Sequence, residues 1–203
     1  MIERPRPVAD GENGNYRLLR TIVLVGLMGA GKTSVGKRVA ARLGVPFIDS
    51  DSEIEIAAGM TIPEIFASYG EPDFRDGERK VIARLLTRPP CILATGGGAF
   101  IEAQTRAEIK EHATSVWLRA EVETLWQRVR GKPGRPLLDA PNPRAKLEAL
   151  NDLRAPFYAL ADVTVDSTRD ASHEKMTDRI IEAVLRHDAG HAGQAPTLEV
   201  LEK

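Results

Sequence analysis

The chain has 203 residues and a mass of 22.2 kDa, with 42% hydrophobic and 28% charged residues, enough apolar material for one buried core. Lys and Arg number 28 against 29 Asp and Glu, a balance without the basic excess of a protein that follows a phosphate backbone, so nucleic acid is not an expected partner. No run of about 18 apolar residues is present to span a bilayer, and the single cysteine, Cys91, excludes an internal disulfide, so the expected setting is the reducing cytoplasm, away from membranes.

Residues 1–15 are rich in Pro, Gly and charge and carry no hydrophobic period, which predicts a disordered leader. Residues 16–188 form the expected domain. In it, short β-branched runs at 21–25, 46–48, 91–94, 115–118 and 162–165 alternate with helical patterns. The helices are expected at 32–43, 52–58, 62–69, 73–86, 103–111, 121–129, 143–159 and 172–186. That alternation predicts an α/β fold with a parallel sheet covered on both faces. Residues 189–203 are expected to form a flexible tail.

Directly after the first strand stands Gly26-Leu27-Met28-Gly29-Ala30-Gly31-Lys32-Thr33, the pattern G-x-x-x-x-G-K-[ST] opening a helix. Its glycines let successive N–H groups turn toward an anion, and the helix N-terminus adds partial positive charge. Lys32 is then placed for the β- and γ-phosphates of a nucleotide and the Thr33 hydroxyl for Mg²⁺. Such a loop specifies a nucleotide but no reaction.

The second strand ends in Phe47-Ile48-Asp49-Ser50-Asp51, and ligands of open parallel sheets gather beyond the carboxyl ends of the strands. One of the two aspartates is placed to hold a metal-bound water and the other to meet an attacking hydroxyl, although Asp49 or Ser50 also suits the N-cap of the next helix. Farther on, Arg75 and Glu78 are three residues apart and share a helical face. The pair is either a pre-aimed fork for a substrate carboxylate or a solvated surface ion pair. Gly96-Gly97-Gly98 ends the third strand and permits close backbone approach to a small polar ligand. Arg130-Gly131-Lys132-Pro133-Gly134-Arg135-Pro136 is basic and too polar to pack. Arg135 there, and Arg154 on a later helix, are candidates to fold over a transferring phosphate.

Taken together, the chain from about residue 21 to 186 resembles the shikimate kinase family. The motifs are G-x-M-G-x-G-K-[ST] at Gly26–Thr33, F-x-D-x-D at Phe47–Asp51, F-R-x-x-E at Phe74–Glu78, G-G-G at Gly96–Gly98, R-P-L-L at Arg135–Leu138 and R-x-P-x-Y at Arg154–Tyr158. The resemblance implies a three-layer α/β/α P-loop kinase with a five-stranded parallel sheet in order 2-3-1-4-5 and a mobile lid at about 130–141. It implies transfer of the γ-phosphoryl of ATP to the 3-hydroxyl of shikimate with Mg²⁺, a step toward chorismate and the aromatic amino acids, by a monomer.

The catalytic residues it implies are Lys32, Asp51 and Arg135. For ATP it implies Gly29, Ala30, Gly31, Lys32, Thr33 and Ser34, with Arg135 from the lid, Arg128 or Arg130 against adenine, and Arg169 as a further adenine contact. Shikimate would lie between Asp51, Arg75, Gly96, Gly97, Gly98 and Arg154, its carboxylate clamped by the two arginines. The metal would be held by Thr33 and, through water, by Asp49. Two other readings compete: a kinase for another polyol acid such as gluconate, and a nucleotide-gated module without turnover. Paired Asp49 and Asp51 and a lid arginine weigh against the second, since a pure switch needs no acceptor pocket.

Overall fold

A computed structural model of the protein describes residues 15–130 and 141–201. Its centre is β2 (Thr21–Val25), every residue of which is buried. A strand covered on both faces by helices needs apolar side chains on both, which explains the uninterrupted Ile22-Val23-Leu24-Val25 run. Around it lie β3 (Phe47–Asp49), β4 (Ile92–Ala94), β5 (Ala113–Arg119) and β6 (Val163–Asp166) in the order β3-β4-β2-β5-β6. All four pairings are parallel. In strand-by-strand numbering this is the 2-3-1-4-5 order expected from the resemblance.

Helices α1 (Lys32–Leu43), α2 (Ser50–Ala58), α3 (Ile62–Leu86), α4 (Ala103–His112), α5 (Val122–Val129), α6 (Pro143–Tyr158) and α7 (His173–Gly190) complete the described domain. The helices expected at 62–69 and 73–86 are the two helical segments of α3, interrupted at Gly70, whose backbone is non-helical (φ 80°, ψ 177°), just ahead of Pro72. Its start is fixed by a capping box: the Thr61 side chain accepts from Glu64 N, and the Glu64 carboxylate accepts from Thr61 N at 2.8 Å. A single 3₁₀ turn, Ala99–Ile101, follows the glycine triplet.

The expected flexible tail after residue 188 is corrected by the structure. Helix α7 runs to Gly190, and β7 (Leu198–Val200) pairs antiparallel with β1 (Tyr16–Leu18) in a separate two-stranded ribbon. Apolar patterning is too sparse here to announce a strand, but polar anchoring supplies the order. Asp188 accepts from the backbone N–H of Thr197 at 2.9 Å and of Leu198 at 3.0 Å, and the Thr197 hydroxyl meets that of Thr114 at 2.6 Å. Thr197 and Leu198 are consequently buried.

Candidate active site

The phosphate loop leaves β2 at Gly26 and enters α1 at Lys32. Gly29 and Gly31 take φ values of 83° and 102°, which an L side chain adopts only under strain, so the motif's glycines are a backbone requirement. Gly31 caps α1 without a side-chain hydrogen bond, and no acidic residue lies in the first turn. The cap residue thus adds no side chain of its own over the leading N–H groups of the helix, an end that favours an anion. Lys32 Nζ folds back over the loop, donating to the carbonyls of Gly26 at 2.8 Å and Leu27 at 3.2 Å. Ala30 is buried, whereas Thr33 and Ser34 are exposed on the first turn.

Asp49 takes the cap role considered from the sequence and also reaches the phosphate loop. As N-cap of α2, its Oδ1 accepts from Asp51 N at 3.1 Å. Its Oδ2 accepts from the Thr33 hydroxyl at 3.2 Å. A hydroxyl and a carboxylate meeting at the phosphate loop are the hard oxygen donors that Mg²⁺ takes together with water and phosphate, so these residues fit the ion. Asp51 points toward the triplet. Burial pushes its carboxyl above the usual carboxylate range, the charge of Asp49 adds to this, and Lys32 and Arg75 pull it back.

The glycine triplet is where the residues expected to hold the acceptor converge. A Cβ placed on Gly96 would stand 2.7 Å from Asp51 Oδ1 and 3.1 Å from Glu78 Oε1. On Gly98 it would stand 2.5 Å from both terminal nitrogens of Arg75. On Gly97 it would meet Arg154 Nη1 at 3.3 Å, the Tyr158 hydroxyl at 3.6 Å and the Gly26 carbonyl at 3.8 Å. Any side chain in this turn would occupy the space of the polar groups that line it.

Arg75 and Glu78 are bonded at 2.6 Å, and Glu78 is 2% exposed, which excludes the solvated-pair reading. Burial pushes the Glu78 carboxyl upward, opposed chiefly by Arg75. Arg154 is buried, and its Nη1 donates to the Gly97 carbonyl at 3.1 Å. Among the described residues, Arg154 Nε is a buried side-chain donor without a hydrogen-bond partner, a condition that costs about 1–3 kcal/mol and that an incoming acceptor relieves.

The structure also separates the two candidate adenine arginines. Arg128 Nη1 donates to Gly29 O at 3.2 Å and to Ser167 Oγ at 2.9 Å, and its Nη2 to Thr168 O at 2.9 Å. It therefore lies across the phosphate loop and the β6–α7 connection. Arg130 and Arg169 are exposed, both near Glu123. Arg135 and most of the expected lid lie outside the described residues. Sequence reasoning gave no role to Tyr158, Ser167 or Trp117. Tyr158 carried a usable signal, four residues after Arg154 and so on the same helical face.

A family model described as shikimate kinase matches residues 28–185. A shikimate kinase of Ruegeria pomeroyi is 55% identical over 173 residues, covering 85% of this chain and 89% of that protein. Among solved structures, a shikimate kinase from Acinetobacter baumannii in complex with shikimate has a TM-score of 0.78 and 41% identity, covering 83% of this chain and 94% of that one. A gluconokinase from Sinorhizobium meliloti has a TM-score of 0.59 at 20% identity, covering 88% of this chain and 99% of that one, and shares the fold. By the extent of the family match and the identity to its relatives, this chain belongs to the shikimate kinase family.

Proposed function

We propose that the protein transfers the γ-phosphoryl group of ATP to the 3-hydroxyl of shikimate, giving ADP and shikimate 3-phosphate on the route to the aromatic amino acids. The observation that carries this reading is the convergence of Asp51, Arg75 and Arg154 on Gly96–Gly98, with Gly97 in turn close to the Gly26 carbonyl of the phosphate loop. A carboxylate clamp, a hydroxyl-facing aspartate and a phosphate cradle thus share one space.

In this reading Arg75 and Arg154 bind the acid group and turn the ring so that its hydroxyl faces Asp51. Arg75 is pre-aimed by Glu78, which reduces the rotamer freedom lost on binding. The hydroxyl oxygen forms a bond to the γ-phosphorus as the bond to the β,γ-bridging oxygen breaks, and ADP leaves with that electron pair. Asp51 takes the hydroxyl proton. Its raised pKa makes it a better proton acceptor than an exposed aspartate, and such general-base assistance contributes roughly 10²–10⁴-fold. Lys32 offsets the negative charge of the transferring group.

Mg²⁺, held by Thr33 and through water by Asp49, would neutralise charge on the β- and γ-oxygens. Arg128 stacks on the purine side, and Arg135 contributes charge from the lid. We further infer a cytoplasmic monomer; among the described residues, no helix is long and apolar enough to cross a membrane.

A coupled assay of ADP release tests the reading: shikimate should accelerate ADP formation and gluconate should not. Acceleration by gluconate alone would replace the substrate, and tight ATP binding without transfer to either acid would replace the enzyme with a switch. Light scattering at assay concentration tests the monomer.

A further inference from the structure

Helix α6 presents two donors, one turn apart, to a single acceptor. Arg154 Nη1 reaches the Gly97 carbonyl at 3.1 Å and the Tyr158 hydroxyl reaches the same oxygen at 2.5 Å. Tyr158 is 2% exposed, and its ring is tilted against Trp117 with centroids 6.0 Å apart. Trp117 itself lies beside Gly26, so the tyrosine is braced against the wall of the phosphate loop. Burial pushes the Tyr158 hydroxyl up to about 12, with the charge of Arg154 and its hydrogen bond pulling the other way. The phenol is therefore a neutral donor throughout the physiological range.

This arrangement bears on how Arg154 is released to a ligand. A guanidinium grips a carboxylate with two parallel N–H groups, and one of those on Arg154 is engaged at rest by Gly97. Turning it toward a substrate would leave a half-buried carbonyl short of a donor, at a cost of up to about 1–3 kcal/mol if nothing else served it. Tyr158 serves it. The carbonyl keeps one strong hydrogen bond whether Arg154 is turned toward it or away, and the orphaned Nε of Arg154 gains from turning away.

We propose that Tyr158 is a positioning residue of the acid clamp: its hydroxyl holds the Gly97 carbonyl so that Arg154 is released to the carboxylate of the substrate. The inference rests on the reading of Arg154 as a carboxylate ligand. It assigns Tyr158 no contact with the reacting atoms.

Tyr158→Phe keeps the ring against Trp117 and removes the hydroxyl. In the purified full chain it should weaken shikimate binding, measured calorimetrically without nucleotide, by about tenfold, the worth of one hydrogen bond to or beside a charged group. The KM for shikimate should rise in parallel, while the KM for ATP and kcat stay within about twofold. A second measurement separates positioning from general damage. In an Arg154→Lys background, which already lacks the two-pronged donor, adding Tyr158→Phe should change shikimate affinity by less than about twofold. Unchanged affinity in Tyr158→Phe, equal losses for shikimate and ATP, or full additivity with Arg154→Lys overturns the proposal while leaving a shikimate-active parent intact. A parent chain inert toward shikimate overturns the underlying reading and this proposal with it.

Discussion

Asp49 and Asp51 are joined by a hydrogen bond from the Asp51 backbone N–H to Asp49 Oδ1, 3.1 Å long. The helix cap is thereby also the negative neighbour that helps hold the second carboxyl above its usual range. Replacing Asp49 by Asn keeps an oxygen for the cap and removes the charge. In the proposed mechanism protonation of Asp51 removes the base, so kcat/KM should fall as pH drops through its raised pKa. The Asp49→Asn variant should move that acidic limb to lower pH and demand more Mg²⁺ for half-maximal rate. A pH–rate profile at several Mg²⁺ concentrations checks both, and an acidic limb that stays in place means Asp51 is not the titrating base.

Gly98→Ala tests the close approach at the triplet. Gly98 has ordinary φ and ψ of −99° and −23°, so alanine is tolerated by the backbone. Its methyl would nevertheless stand 2.5 Å from the Arg75 guanidinium, which must leave its place. We expect the KM for shikimate to rise by an order of magnitude or more, with ATP binding nearly unchanged and a stability loss of about 1 kcal/mol. Steady-state kinetics with each substrate varied in turn decides it; a wild-type KM for shikimate would remove Arg75 from the clamp.

Arg128 and Arg130 should separate cleanly. Arg128 spans Gly29, Ser167 and Thr168, whereas Arg130 is exposed at the end of α5. Arg128→Ala should raise the KM for ATP about tenfold or more and leave that for shikimate much less altered. Arg130→Ala should stay within about twofold for both. The reverse pattern would hand the adenine contact to Arg130.

Stability should depend on a residue remote from the chemistry. Asp188 accepts two backbone N–H groups and the Thr197 hydroxyl at 3.0 Å, fastening the β1–β7 ribbon to α7. Asp188→Ala leaves these donors without an acceptor, at a cost of about 1–3 kcal/mol. Thermal unfolding should move down by roughly 2–4 °C per kcal/mol for a domain of this size, with turnover at low temperature unaffected. An unshifted Tm would mean the ribbon adds nothing to the fold.

The sequence by itself determined the parts whose geometry is local. A glycine loop ending in Lys32 and Thr33 directly after an apolar strand has few backbone solutions. The alternation of β-branched runs and helical patterns leads to a parallel sheet, and the helix expected from residue 62 begins there. The motif order pointed to the acceptor set as well. Tertiary structure alone decided matters in which burial or long-range contact sets the energy. Arg75 and Glu78 have the same spacing whether solvated or buried, and only packing beneath the triplet leaves Glu78 at 2% exposure. Arg128 and Arg130 are alike in charge and neighbourhood, until α5 turns one across the phosphate loop and the other into solvent. The tail after residue 188 looks too polar to pack, and it is polar bonds that order it, through partners such as Thr114 that lie 83 positions away in the chain. Periodicity records which face of an element is apolar; it carries no record of which distant carbonyl or carboxylate satisfies a buried donor.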